Sequence, residues 1–204
     1  MTHSPNLYLI DKSFSELLAM FMIDIANDSE YYDNLAFYLM QNHAQLTLGL
    51  LSDFSSIRKR AIISTLGWAR HDIDFNAQQI DIEQTLLPLL NHDDPWVIFE
   101  AISALKYIDS DHFDKIKPFL THDDVYIRSA SIQYFSKRQG LIYKNAVIDY
   151  LKDPHPLIRE TALDELDEMD GLPDDELIAI ISPYLTDENK TVRELVQYII
   201  NSRN

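Results

Sequence analysis

Leu120-Thr121-His122-Asp123-Asp124-Val125-Tyr126-Ile127-Arg128 holds a closing leucine, an acidic turn and a β-branched residue followed by arginine. The same order recurs in Leu51-Ser-Asp-Phe-Ser-Ser-Ile57-Arg58, Leu90-Asn-His-Asp-Asp-Pro-Trp-Val97, Leu151-Lys-Asp-Pro-His-Pro-Leu-Ile158-Arg159 and Leu185-Thr-Asp-Glu-Asn-Lys-Thr-Val192-Arg193. From leucine to β-branched anchor is seven residues in four copies and six in the first, and the anchors follow one another after 40, 30, 31 and 34 residues. Self-similarity at such a period marks a chain built from stacked supersecondary units.

Each copy reads as two helices joined by the acidic turn. The first (helix A) carries runs such as Ile82-Leu86-Leu87-Leu89-Leu90 and Leu177-Ile178-Ile180-Ile181-Leu185. In the second (helix B), apolar or small residues fall at the anchor, four on and eight on: Val97, Ala101, Leu105; Ile127, Ser131, Phe135; Ile158, Ala162, Leu166; Val192, Val196, Ile200. That spacing lays one stripe along a helix. The first copy is looser, with Ile57, Ala61 and Thr65. Asp94 before Pro95 and Asp153 before Pro154 suit an N-cap followed by proline at the first helical position, and Asp124 and Ser55 or Ser56 can cap likewise. Upstream, residues 13–26 and 30–41 read as two less regular helices, as expected of a terminal unit that caps a stack.

The turn acids Asp53, Asp93, Asp123, Asp153 and Asp187, the arginines Arg58, Arg128, Arg159 and Arg193 after the anchors, and the mid-helix Ala61, Ala101 and Ala162 resemble the HEAT-like repeats of the phycobilin-lyase type. The resemblance covers about 42–202. It implies an all-α fold, an α-solenoid of about five HEAT-like helix pairs, in one domain over 1–204 with N-terminal capping helices in 1–41 and repeats in 42–204. It also implies a ladder of Asp–Arg contacts between neighbouring units, interrupted at the second copy, where Ile98 replaces the arginine.

The composition narrows the function. Of 204 residues 46% are hydrophobic and only four are glycine, which fits a packed helical protein without glycine-rich loops. With 17 Lys plus Arg against 33 Asp plus Glu, the formal net charge is −16, which repels nucleic acid and anionic membranes and favours a basic protein partner. No cysteine is present, so disulfides and thiolate chemistry are excluded and a cytoplasmic setting is expected. The apolar stretch Leu17–Ile23 is cut by Asp24 and reads as an amphipathic helix rather than a leader or membrane span.

Motifs for catalysis are missing. There is no phosphate loop, no Gly-x-Ser-x-Gly and no zinc-protease helix with paired histidines. His92-Asp93-Asp94, His122-Asp123-Asp124 and His155 occupy equivalent turns and have the composition of a metal site, but the aspartates are better assigned to capping. HEAT-repeat deoxyhypusine hydroxylases bind iron through His-Glu pairs, and no such pair occurs here. HEAT-like DNA glycosylases need a cationic face, which the acidic balance opposes. No catalytic residue, cofactor or metal is expected.

A solenoid binds through equivalent helices in succession. On helix B the positions two, six and nine after the anchor are expected to face outward: Lys59, Ile63, Leu66; Phe99, Ser103, Lys106; Ser129, Gln133, Ser136; Glu160, Asp164, Asp167; Glu194, Tyr198, Asn201. Eight acids and no Lys or Arg lie between Asp164 and Glu176, Glu168 among them, and Trp96 and Tyr126 stand one residue before their anchors. Trp96, Phe99, Tyr126, Gln133, Glu160, Asp164, Asp167, Glu168, Glu194 and Tyr198 are therefore the candidate partner-binding residues. They point to a non-enzymatic protein that binds a basic partner, in its most concrete form a bacterial immunity protein covering a cationic toxin such as a nuclease. The alternatives are a general adaptor, a bilin-lyase-like protein or a metal-dependent enzyme subunit.

Overall fold

A computed structural model of the chain describes Leu9, residues 11–25 and residues 29–203. Ala26, the last residue of the expected 13–26 helix, lies outside the described residues, as do residues 1–8, 10 and Asn204 of the expected capping and repeat segments. The described secondary structure is helical throughout, and the chain divides into two compact units, Met1–Ile108 and Asp109–Asn204.

In the first unit, α1 (Phe14–Phe21) starts at a capping box in which the Ser13 and Glu16 side chains satisfy each other's backbone N–H. It is shorter than expected, and the chain then passes Asp24 to enter α2 (Ser29–Gly49). α2 is two helices run together: His43, at φ −143° and ψ 34°, breaks it. The backbone groups freed by the break are taken up by one distant side chain. Gln78 accepts from the Ala44 N–H at 3.0 Å and donates to the carbonyls of Met40 and Gln41, each at 3.0 Å. α3 (Ser56–Trp68), α4 (Ile82–Leu86) and α5 (Pro95–Leu105) complete the unit, with α3 packed on both α2 and α5.

The second unit holds α6 (Phe113–Ile116), α7 (Val125–Gln139), α8 (Lys144–Tyr150), α9 (Pro156–Asp167), α10 (Asp174–Ile181) and α11 (Lys190–Arg203). Successive B helices lie against each other, α7 on α9 and α9 on α11. This side-by-side packing of B helices within each unit is that of an α-solenoid.

The anchor stripe forms the core. Val97, Ala101, Leu105, Ile127, Ser131, Ile158, Ala162, Leu166, Val192 and Val196 are all fully buried, and Phe135 nearly so. Ile200, the last of the stripe, is only half-buried. Helix A differs from the expected continuous helix. In three copies it tightens into a 3-10 turn carrying a proline: Leu87–Asn91 with Pro88, Lys117–Thr121 with Pro118 and Ser182–Thr186 with Pro183. Proline lacks the N–H for an i→i−4 bond and its ring crowds that carbonyl, so the α-helix cannot run on unchanged.

The first copy departs from its expected register. Ile57 is 36% exposed, whereas Arg58 is buried and Ile63 and Leu66, expected outward, have no exposed surface. The shorter turn explains this: one residue fewer rotates the helix by about 100°. Arg58, seven residues after Leu51, takes the anchor depth, and Ile62 and Leu66 follow four and eight residues later.

Candidate functional site

The turns between A and B helices are built from side-chain acceptors on the backbone. His92 Nδ1 accepts from the Asp94 N–H and His122 Nδ1 from the Asp124 N–H, each at 3.0 Å. Asp153 accepts from the His155 N–H and Asp187 from the Asn189 N–H, each at 2.8 Å. The acceptor two residues on then caps helix B: Asp94 to Trp96 at 2.9 Å, Asp124 to Tyr126 at 2.8 Å, His155 to Leu157 at 3.2 Å and Asn189 to Thr191 at 2.8 Å. The expected capping by Asp94 and Asp124 is thus present. Asp153 is corrected: it props the turn, while His155 is the cap and Pro156 the first helical residue. Ser55 holds the N-cap position of α3 without a cap hydrogen bond from its hydroxyl, which accepts from Arg58 instead. Among the described residues no three His, Asp or Glu side chains gather as a metal would require.

The repeat arginines tie these turns down. Arg128, Arg159 and Arg193 each donate to the two turn carbonyls five and six residues back. Arg159 also reaches forward to Asp187 in a two-pronged pair at 2.7 and 2.9 Å, both side chains being nearly buried. This is one rung of the expected ladder. Burial works to raise the Asp187 carboxyl, but the hydrogen bonds from Arg159 and Asn189, with the charges of Arg159 and Arg193, hold it below the usual range. Arg58 turns to the preceding segment, donating to the Phe21 and Met22 carbonyls and to Asp24.

The candidate partner-binding residues fall in two places. On α5 in the first unit, Trp96 is 40% exposed and meets half-buried Phe99 edge to face at 5.7 Å. The Arg60 guanidinium lies 4.7 Å from the centre of the Trp96 ring. In the second unit Tyr126 is 45% exposed at the start of α7 and Gln133 is half-buried. Ser129 and Ser136, expected outward, are buried. Ser129 meets the Thr161 hydroxyl at 2.7 Å where α7 crosses α9, and Ser136 lies near the end of α7, against which the Gly140–Tyr143 turn packs.

On α9, Asp164 is exposed, as is Glu168 at the helix C-cap, and Glu160 and Asp167 are half-buried. Loss of hydration, then the charges of Glu168, Asp167 and Glu160, push the Asp164 carboxyl up to about 6. Asp167 is bound by Arg203 of α11 at 2.8 Å. Also on α11, exposed Glu194 pairs with Lys190 at 3.0 Å and Tyr198 is 68% exposed. The second unit therefore brings the α9 acids together.

A further group was missed by sequence reasoning: Glu100, half-buried on α5, meets Arg60 of α3 at 3.3 Å. Both stand three residues after their anchors, so aligning the copies pairs opposite charges at equivalent positions. Gln78 has no comparable signal, because its partners are backbone groups.

No family model matches the chain, and no curated protein matches it. Among solved structures, a designed armadillo repeat protein in complex with the peptide (KR)4 is similar over 99% of this chain and 96% of that one, at 14% identity and a TM-score of 0.53. Two engineered proteins match at 15% and 16% identity with TM-scores of 0.48 and 0.49, covering 94% and 95% of this chain and 96% and 99% of theirs. The likeness to the armadillo design establishes the α-solenoid fold.

Proposed function

We propose that this chain is a non-enzymatic binding protein whose acidic second unit covers a basic protein. Carrying the reading is the run from Glu160 to Glu188, which holds eleven carboxylates and no Lys or Arg, and in which burial first, then the charges of Glu168, Asp167 and Glu160, raise Asp164. Crowded carboxylates repel one another in the free protein, so a cationic surface gains more here than beside isolated charges. Tyr198, exposed about one and a half turns from the end of α11, offers the aromatic area that interface hot spots favour. The similar armadillo design was solved with a peptide of alternating lysine and arginine, which is in keeping with a basic partner for this scaffold. The specific form we favour is a bacterial immunity protein that occludes a cationic toxin such as a nuclease, acting in the cytoplasm; a general adaptor would use the same physics.

Immobilised protein should retain a basic protein at low salt and release it as salt rises. Addition of this chain should block the activity of the retained protein. Replacing Asp164, Asp167 and Glu168 by lysine should abolish retention; undiminished retention by that variant overturns the role of α9.

A further inference from the structure

Within the first unit a cavity of about 280 Å³ opens where α2, α3 and α5 meet, lined by Tyr32, Asp33, Ile57, Arg60, Ala61 and Glu100 among others. It is smaller than the roughly 300–1,000 Å³ of sites for whole drug-sized molecules, and suits a single long side chain. Its lining mixes apolar and charged side chains. Ile57 is the anchor residue that the short first turn swings outward, so an apolar side chain stands where a repeat of ordinary register would hide it. Asp33 and Glu100 place two carboxylates in the lining against the single arginine.

Arg60 shows what chemistry the lining accepts, because its guanidinium already rests on Trp96 and points at Glu100. The Arg60–Glu100 contacts, at 3.3 and 3.4 Å, are longer than the 2.7–2.9 Å or so of a strong charged pair. Burial still leaves the Glu100 carboxyl raised, with Arg60 opposing and Asp33 adding to the shift. An ionised carboxylate offers about four acceptor positions, and the two Arg60 contacts fall on a single oxygen of Glu100.

We infer that this cavity is a binding site for one lysine or arginine side chain of a basic protein partner, its aliphatic stem against Ile57 and Ala61 and its charged head between Asp33 and Glu100. Long cationic side chains lay their methylenes on apolar surface and keep the head for polar partners, and the lining offers both kinds of group. The net charge of −16 draws such a partner to the molecule. The inference rests on the basic-partner reading above but places a specific anchor away from α9.

Trp96 reports on the site once Trp68→Phe makes it the sole tryptophan. Short lysine and arginine peptides should change its emission saturably, and comparing the two shows which head group the cavity prefers. A lysine peptide acetylated at every side chain should give no response. Glu100→Gln and Asp33→Asn, each checked for folding by far-UV circular dichroism, should weaken binding by about tenfold or more, the scale of one charged hydrogen bond. Equal binding by the folded variants, or by the acetylated peptide, overturns the proposal. Charge reversal at Asp164, Asp167 and Glu168 should leave the Trp96 response unchanged. A response lost there but kept in Glu100→Gln would locate peptide binding on α9 and overturn the cavity site.

Discussion

His92 and His122 each give the Nδ1 lone pair to the amide two residues on, the place that Asp153 and Asp187 fill with a carboxylate oxygen. The position thus requires an acceptor at a given reach rather than a particular residue. Replacing His122 by alanine should cost about 1 kcal/mol, the usual worth of such a local bond, and His122→Asn should recover most of it, read as the urea midpoint. Two aspartates of the second unit give opposite pH dependences. Asp187 is held below its ordinary value, so its stabilisation is present above about pH 4, the unfolded value, and is lost as pH falls through the folded one. Asp164, pushed up to about 6, binds a proton in the folded state first, so its cost is relieved as pH falls from above 6 toward about 4. Thermal midpoints should therefore rise between pH 7 and 5. Asp164→Asn should flatten that rise while leaving the loss at lower pH intact.

Among the elements, α3 and α5 approach closely at Gly67, where an added Cβ would stand 2.8 Å from the Ala104 Cα. Backbone, not a movable side chain, meets it, so Gly67→Ala should destabilise the protein by roughly 1–3 kcal/mol as an overpacking change, measured by denaturant unfolding. The B-helix stripes were legible in the sequence because helical spacing and turn capping are local properties; Val97–Ala101–Leu105 and Ile158–Ala162–Leu166 came out as read. The α3 register was not legible. The six-residue spacing was visible, but whether the missing residue would be absorbed in the turn or by rotation of the helix depends on Arg58 reaching the Phe21 and Met22 carbonyls. The outward set failed where helices cross, since Ser129 looks polar in sequence yet pairs with Thr161 inside the α7–α9 contact. Glu100 and Arg60 belong to different repeats, so only comparison between copies pairs them.

For the molecule as a whole, charge is the dominant variable. A net −16 strains the folded chain through self-repulsion that mobile ions screen. The thermal midpoint should climb with sodium chloride from low to physiological strength, and the climb should shrink when Asp164 and Glu168 are neutralised to Asn and Gln. An unchanged midpoint across salt would show that repulsion contributes little. The irregular first repeat has a consequence of another kind. Its anchor spacing of 40 residues exceeds the later 30, 31 and 34, and the added chain includes Gln78, whose amide serves the backbone opened at His43. The long linker and the broken helix are therefore coupled through one side chain. Shortening the linker past Gln78 would strand the Ala44 N–H and the Met40 and Gln41 carbonyls, so a change to the one segment is felt as a loss of hydrogen bonds in the other.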